Sequence, residues 1–373
     1  MNINKIPWAM PTIGKEELSE VIDSFEANWL TMGPKVSEFE KRMADLLNVP
    51  HAIAVSNGTV ALDIALKTIG IKTGDEVIIP AMTYFATASA VNYQNAIPVF
   101  VDIERESFNL DPNKIEAGIS NKTKAIIFID YGGNPSNYDE IAKIGKKHGI
   151  PVVQDAAQSL GAIYRGNPMG AQTEISTMSF HMAKVMTCIE GGMIFTHNEK
   201  YKNEILSRRN HGEPINGKYK HELLGTNARL TDLQAGIGLA QLIKLPYMLN
   251  ERKRVARKYN ELIYKNGIDV KTVSTKNNGD SNAYFFYPIL VKNRDYLAKI
   301  LRDKHNIDTR IAYPMPVYKQ QLYKSRKATF RNMKCPVAEQ VTSEIINLPI
   351  FPGMTNKMIE TVVDKIKFEI IQK

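Results

Sequence analysis

The sequence predicts an α/β protein with a mostly parallel, seven-stranded sheet between layers of helices, followed by a smaller α+β region. Two patterns support this fold class: short segments that are apolar throughout recur along the first half of the chain, and helical patterns separate them. With 373 residues, the chain is long enough for two domains. We expect a large domain over residues 1–250 and a small C-terminal domain over residues 251–373.

The elements of the large domain follow in order. The first is a helix that ends at Pro50, because apolar residues recur there on one helical face: Val36, Phe39, Met43, Leu46 and Leu47. Seven short apolar strands are then predicted, over residues 51–55, 76–80, 98–101, 124–129, 150–153, 175–178 and 193–196. Helices over 59–67 and 83–93 separate the first three strands. This alternation predicts parallel pairing with helices on both faces.

A long helix is predicted to close the large domain. Thr231 and Gln234 have the spacing of a capping box, in which two side chains satisfy free N–H groups at a helix start. Apolar residues then share one face of the helix: Leu233, Ile237, Ala240 and Ile243. Pro246 is expected near the end of this helix.

Beyond about residue 251 the predicted elements become fewer and more widely spaced. A polar loop is predicted over 277–282, a strand over 284–291 and a helix before Ile307. This change of pattern is the basis for expecting a separate, smaller α+β domain.

The net charge of +9 raises the question of a nucleic-acid partner. The most basic segment, residues 251–258, carries Val255, and the same helical stripe continues through Tyr259, Leu262 and Ile263. We therefore interpret the basic residues as the solvated face of an amphipathic helix and expect no nucleic-acid partner. The excess positive charge would equally attract a small anionic substrate.

Several other features restrict the class of protein. The two cysteines, Cys188 and Cys335, are too few for a disulfide framework or a metal cluster, so we expect no metal site. No apolar run approaches the ~18 residues that a membrane span needs. The first residues lack the pattern of a signal peptide. Together these observations predict a cytoplasmic protein with no membrane partner.

Lys184 is the most informative residue of the chain. It lies in an otherwise uncharged turn between two predicted strands, and Gly191-Gly192 is expected to let the backbone turn sharply into the second strand. An ammonium group among apolar residues is costly to bury. The residue type and setting are typical of a lysine that is neutral or bound as an imine to pyridoxal phosphate (PLP).

A candidate phosphate site lies between a strand and a helix at Ser56-Asn-Gly-Thr59. Free N–H groups and the helix dipole favour an anion there, with Gly58 allowing close approach and the Thr59 hydroxyl adding a donor. Ser179, five residues before Lys184, is a further phosphate candidate. Taken alone, the turn is better explained as a simple helix cap, because serine, asparagine and threonine are common caps.

Other polar and aromatic residues follow predicted strand ends, where ligands of parallel sheets bind. Asp155 could pair with the protonated pyridine nitrogen of PLP and Gln158 with the ring oxygen, while Tyr84 could stack on the ring. Each has an ordinary alternative: a helix cap for Asp155 and a core aromatic for Tyr84. His181, two residues beyond Ser179, is assigned no catalytic role. The order of the whole set, ending in Lys184, is what favours a PLP site.

At this point the chain resembles the DegT/DnrJ/StrS family of sugar aminotransferases, within the fold-type I PLP enzymes. The resemblance runs over nearly the whole chain. It is carried by Gly33-Pro34, Phe39-Glu40, Ser56–Leu62, Pro80–Thr87, Asp155–Ala162, Ser179-Phe-His with Lys184, Glu190-Gly-Gly192 and Asn227–Gln234.

The resemblance implies a role for each matched position. Lys184 would form the covalent imine with PLP, and Asp155 would pair with the ring nitrogen. Gln158 would contact the ring oxygen, and Tyr84 would stack on the ring. The phosphate would be held by Gly58, Thr59 and Ser179.

Further positions concern the neighbouring subunit and the substrate. Asn227 would reach the phosphate of that subunit, so the resemblance implies a homodimer with shared active sites. Arg229 and Tyr313 match substrate-side or wall positions. Two positions depart from the usual pattern: Ala312 stands where relatives often have histidine, and Gln154 where many have glutamate.

The function implied by this resemblance is transfer of an amino group from L-glutamate to a keto group of a nucleotide-linked deoxysugar. Relatives that act as dehydratases replace the lysine by histidine, so Lys184 favours transamination. A PLP-dependent dehydratase or lyase, and a non-catalytic PLP-binding basic regulator, remain as alternatives. The sequence leaves open the sugar, its nucleotide, amination at C3 or C4, and a cyclitol acceptor.

Overall fold

The computed structural model describes residues 5–273 and 279–371. The α-helices are α1 Lys15–Glu26, α2 Pro34–Leu47, α3 Gly58–Thr68, α4 Phe85–Tyr93, α5 Pro112–Gly118, α6 Tyr138–His148, α7 Glu199–Arg209, α8 Asp232–Lys265, α9 Arg294–His305, α10 Gln321–Lys324, α11 Pro336–Glu344 and α12 Asn356–Ile371. Short 3₁₀ turns lie at Tyr131–Gly133 and Val317–Lys319. The first predicted helix is present as α2, with four of its five stripe residues buried and Leu46 exposed.

The strands are β1 His51–Val55, β2 Glu76–Pro80, β3 Ile97–Val101, β4 Thr123–Ile129, β5 Val152–Asp155, β6 Ile163–Tyr164, β7 Asn167–Pro168, β8 Ile175–Ser179, β9 Gly192–Thr196, β10 Lys271–Thr272, β11 Tyr287–Leu290, β12 Arg331–Asn332 and β13 Ile345–Leu348. The fifth strand begins two residues later than predicted. Ile150 lies just beyond α6 and takes part in its C-terminal cap, since its N–H donates to Gly145 O and Gly149 has a left-handed conformation.

The large sheet has the order β1-β9-β8-β5-β4-β2-β3-β12. Neighbours from β12 to β8 pair in parallel, and β9 runs antiparallel to both β8 and β1. The predicted fold class is therefore confirmed, because the sheet is mostly parallel and helices flank it. Its strands are almost entirely buried, as expected when both faces are covered.

The sheet has eight strands in the described part of the chain, whereas the sequence predicts seven. The additional strand, β12, comes from the C-terminal part and pairs in parallel with Val99 and Phe100. It consists of only Arg331 and Asn332, so it carries no apolar run. Arg331 anchors it through an ion pair of 2.8 Å with Glu76 and a hydrogen bond to Gly118 O.

The long helix α8 continues through Pro246 to Lys265, so the expectation that it ends near the proline is wrong. Proline removes one helical hydrogen bond, but packing on both sides of it stabilises the helix. Leu245 and Met248, on either side, are buried in the core of the large sheet. Ile243, expected on the apolar face, is 73% exposed.

A second apolar core surrounds the C-terminal half of α8. Val255, Tyr259 and Ile263 pack there against α12 and a three-stranded antiparallel sheet in the order β10-β11-β13. The predicted stripe of the basic segment is confirmed, with one correction. Arg252 is 3% exposed, and its guanidinium donates to the backbone carbonyls of Tyr284 and Ile350.

The C-terminal strand is shorter than the predicted 284–291. Tyr284 has a positive φ of 53°, and its N–H donates to the Asn282 side chain, so regular pairing starts only at Tyr287. Of the predicted polar loop 277–282, residues 277 and 278 lie outside the described residues. The division of the chain at residue 250 stays a prediction.

Across the described ranges, each helix is too short or too polar to cross a lipid bilayer.

Candidate active site

A cavity of about 830 Å³ opens at the carboxyl ends of the parallel strands. The elements around it are the β1–α3 turn, the start of α4, the end of β5, the β8–β9 turn and two C-terminal segments near residues 285 and 310. Most of the predicted site residues line it: Gly58, Thr59, Tyr84, Asp155, Gln158, Ser179, Lys184 and Tyr313. Ligand sites are common at this edge of parallel sheets.

The turn between β1 and α3 has the geometry of an anion site. Asn57 caps α3, its side chain accepting a hydrogen bond of 2.9 Å from the N–H of Val60. Gly58 is the first helical residue, so its N–H is directed away from the helix at the positive end of the dipole. A Cβ on Gly58 would lie 2.8 Å from the Cβ of Ser179, which is closer than real Cβ contacts. Glycine is therefore required for the two phosphate candidates to adjoin.

Gly192 has a different structural role from the one predicted. The Gly191-Gly192 pair was expected to provide the sharp turn, but neither glycine has a positive φ, and Ile189 (φ 70°) takes the left-handed conformation. A Cβ on Gly192 would lie 2.4 Å from the carbonyl carbon of Asn57. Gly192 thus lets the β1–α3 turn approach β9.

Asp155, the last residue of β5, is 7% exposed. One carboxylate oxygen accepts a hydrogen bond of 2.8 Å from the hydroxyl of Thr87, and the other accepts from the N–H of Ala157 at 3.2 Å. Burial raises the pKa of this carboxyl, opposed by both hydrogen bonds and by the charge of Lys184. Among the described residues it forms no ion pair, so a cation in the cavity would stabilise it.

Lys184 lies in the turn between β8 and β9, as predicted. Its backbone N–H donates to the carbonyl of His181, and its Nζ lies 4.8 Å from the centroid of the Phe285 ring. Desolvation lowers the pKa of its amine to about 8, while the charge of Asp155 acts in the opposite direction. A considerable fraction of the amine is therefore neutral near pH 8, which a nucleophile or base requires.

Gln158 and Tyr313 form a polar wall of the cavity. The side-chain oxygen of Gln158 accepts from the N–H of Gly132 at 2.7 Å, and its amide donates to the Tyr313 hydroxyl at 3.2 Å. Burial raises the pKa of Tyr313, so its hydroxyl stays protonated. Tyr84 lies across from it, with a ring-centroid separation of 6.2 Å and 62% exposure.

Two predicted site residues lie outside the cavity of the single chain. Asn227 is exposed and forms an isolated bridge with Asn210. Arg229 donates a hydrogen bond to the side chain of Asn210. The cavity formed by one chain therefore includes neither of them.

Several lining or supporting residues were not singled out from the sequence. Thr87 is the third residue of α4, and its hydroxyl also bonds that of Thr83 at 2.8 Å. Its place in the motif Pro80–Thr87 was the available signal. Phe285 lies in an aromatic run that predicted only a strand, and Arg310 lies outside the elements predicted for the C-terminal part.

PLP fits the residues of this cavity. Three groups face one space: a desolvated amine, a buried carboxylate with no ion pair in the described part of the chain, and a helix N-terminus that requires glycine. These are the groups that an aldehyde, a protonated pyridine and a phosphate would need.

Comparisons with known proteins agree with this geometry. The model of the DegT/DnrJ/EryC1/StrS aminotransferase family matches residues 11–367. GDP-perosamine synthase of Escherichia coli O157:H7 is 33% identical over 370 residues, or 97% of each chain. The crystal structure of a DegT DnrJ EryC1 StrS aminotransferase from Brucella abortus superposes with a TM-score of 0.89, at 31% identity and 95% coverage of each chain.

The structure of NtdA from Bacillus subtilis, with the bound cofactor PMP, is a further relative. Its TM-score is 0.89 at 27% identity, covering 100% of this chain and 86% of that chain. The family, the fold type I architecture and the cofactor predicted from the sequence are therefore confirmed. This chain belongs to the DegT/DnrJ/EryC1/StrS aminotransferase family of PLP-dependent sugar aminotransferases.

Proposed function

We propose that this enzyme transfers the amino group of L-glutamate to a keto group of a nucleotide-linked deoxysugar. One observation carries the proposal: the same cavity contains a desolvated lysine amine and a buried carboxylate. Among the described residues, that carboxylate has no ion-pair partner. The likeness to GDP-perosamine synthase supports a nucleotide-linked substrate. The cytoplasmic location stays a prediction.

Lys184 is the proposed proton carrier. Its Nζ takes a proton from Cα of the amino donor and returns a proton on the acceptor side of the cycle, and a pKa of about 8 suits both directions near neutral pH. When bound, PLP supplies an aldehyde carbon that exchanges amines and a ring that takes up an electron pair. Asp155 would hold the proton on the ring nitrogen, because its buried carboxylate forms no ion pair among the residues that the structure describes.

The other cavity residues position the groups that react. Gly58, Thr59 and Ser179 bind the phosphate, and the close approach of Gly58 to Ser179 supports this assignment. The Gln158 amide has a second N–H that does not bond Tyr313, and this N–H would donate to the ring oxygen. Tyr84 would cover the ring.

We further propose a homodimer with shared active sites. Asn227 lies outside the cavity of its own chain and is exposed. In this proposal it reaches the phosphate of the neighbouring subunit, an assignment that derives from the family resemblance. Arg229, which also lies outside, is proposed as a substrate-side position on the same ground.

The test begins with glutamate alone. We expect the purified holoenzyme to release 2-oxoglutarate and to lose its visible absorbance in a single turnover, and then to aminate one of a panel of nucleotide-linked 3-keto and 4-keto sugars. Borohydride reduction and peptide mapping should place the cofactor on Lys184. The variant Lys184→Ala should give neither turnover nor label, whereas Lys253→Ala, outside the cavity, should give both. Release of a dehydrated sugar without 2-oxoglutarate would favour the dehydratase or lyase alternative instead.

The alternative of a basic nucleic-acid-binding regulator has little support in the basic segment. Arg252 is buried, Arg254 pairs with Glu251 at 2.8 Å, and Lys258 pairs with Glu261 at 2.9 Å. A salt-sensitive shift of nucleic acid in a gel, without amino transfer, would restore that alternative.

A further inference from the structure

We propose that Arg310 binds the α-carboxylate of the amino donor. This inference rests on the proposed function and assigns a residue to donor recognition. Arg310 lines the same cavity as Lys184, and its guanidinium carbon lies 5.0 Å from the centroid of the Trp8 ring. Among the described residues its guanidinium has neither an ion pair nor a hydrogen bond.

The base of the Arg310 side chain is held in a fixed position. Its backbone N–H donates to Asn347 O at 3.0 Å, and its carbonyl accepts from the backbone N–H of Asn347 at 2.8 Å and from the side-chain amide at 3.1 Å. Trp8 itself packs on Phe286 with a centroid separation of 5.8 Å. Stacking on an aromatic face orients a guanidinium and leaves its edge N–H groups free to bind a planar anion.

The charges around the cavity leave Arg310 as the cation best suited to an anionic substrate. His181 pairs with Glu190 at 3.7 Å, and Lys184 is required for bonding to the cofactor. Within the described lining, Arg310 is the remaining cationic side chain, and no acidic partner neutralises it. The planar guanidinium group can bind a carboxylate through two parallel hydrogen bonds.

The donor is a better match than the diphosphate of the acceptor. The α-carboxylate is attached to the same carbon as the amino group that must reach the position of Lys184, so its binding residue has to line the same cavity. The diphosphate of a nucleotide sugar is separated from the reacting carbon by part of the sugar ring. It can therefore lie farther from Lys184.

The test compares Arg310→Gln and Arg310→Lys with Arg302→Gln, an exposed arginine that pairs with Asp303 outside the cavity. We expect Arg310→Gln to raise the glutamate concentration for half-maximal reaction about tenfold or more, as expected for loss of a charge-assisted pair. Arg310→Lys should give a smaller increase, because lysine retains the positive charge but cannot form the two parallel hydrogen bonds. The control should match the wild type.

A second donor isolates the carboxylate. 4-Aminobutyrate is glutamate without its α-carboxylate, so its binding, followed by the absorbance change of the holoenzyme, should be the same in wild type and Arg310→Gln. Equal weakening of both amines, or an unchanged response to glutamate, would overturn the assignment. So would calorimetry in which Arg310→Gln weakens GDP binding and leaves glutamate binding intact. If the wild type itself does not react with glutamate while Lys184 is labelled, the proposed donor fails instead.

Discussion

The two walls of the cavity differ in how they hold their polar groups. On the wall formed by the sheet, Asp155 is buried and receives two hydrogen bonds, and Lys184 is desolvated enough for its pKa to fall to about 8. On the wall formed by the C-terminal part, Arg310 is exposed and held mainly by its backbone and the Trp8 ring. Low-dielectric surroundings strengthen charge interactions, so the sheet wall suits bond-making and the C-terminal wall suits recognition.

Of three variants that test this comparison, Asp155→Ala should have the largest effect. Removing a preorganised charged group from a catalytic site costs about 10²–10³ in rate, so the single-turnover reaction with glutamate should slow by that factor at saturating PLP. The rate of absorbance loss in stopped flow measures it. Asp303→Ala, on the surface, is the control. A near-normal rate would exclude a catalytic role for Asp155 and would contradict the assignment of the chemistry to the sheet wall.

A smaller effect is expected from Thr87→Val, which deletes the hydroxyl that donates to Asp155 at 2.8 Å and keeps a similar shape. A hydrogen bond to a charged group is worth about 1.5–3 kcal/mol, so we expect a loss of about tenfold or more. Thr87 acts through Asp155, so the pH dependence of the holoenzyme absorbance should shift as well. Thr87→Ser should restore both rate and pH profile. If Ser and Val behave alike, Thr87 serves packing only.

The smallest effect is expected from Tyr313→Phe on the C-terminal wall. The change removes the acceptor for the amide of Gln158, but Gly132 still holds the other end of that side chain. A neutral hydrogen bond contributes about 1 kcal/mol, so the single-turnover rate should fall about fivefold or less. A loss of rate as large as that of Asp155→Ala would contradict the proposal that the sheet wall serves the chemistry and the C-terminal wall serves recognition.

The sequence predicts the sheet wall better than the C-terminal wall, for a physical reason. Strands of a buried parallel sheet are apolar throughout, so their ends can be located, and a carboxylate or lysine at such an end is conspicuous. Asp155 and Lys184 were found in this way. Thr87 was not, because its partner is 68 residues away along the chain and a threonine in a helix is unremarkable alone.

The C-terminal residues of the cavity give weaker signals. Arg310 follows no apolar strand, and its significance depends on Trp8, which lies some 300 residues earlier in the chain. Strand β12 is too short to leave a pattern. Pro246 was misleading because tertiary packing on both of its sides overrides the usual tendency of proline to end a helix.

The unbroken helix α8 has a consequence for engineering this enzyme. Its first half packs in one apolar core and its second half in the other, and residue 250 lies near the middle of the helix. A chimera joined at that point would have to match two helix halves from different parents in rotation as well as in sequence. Crossover sites for exchanging acceptor specificity are better chosen outside α8, so that one parent protein supplies the whole helix.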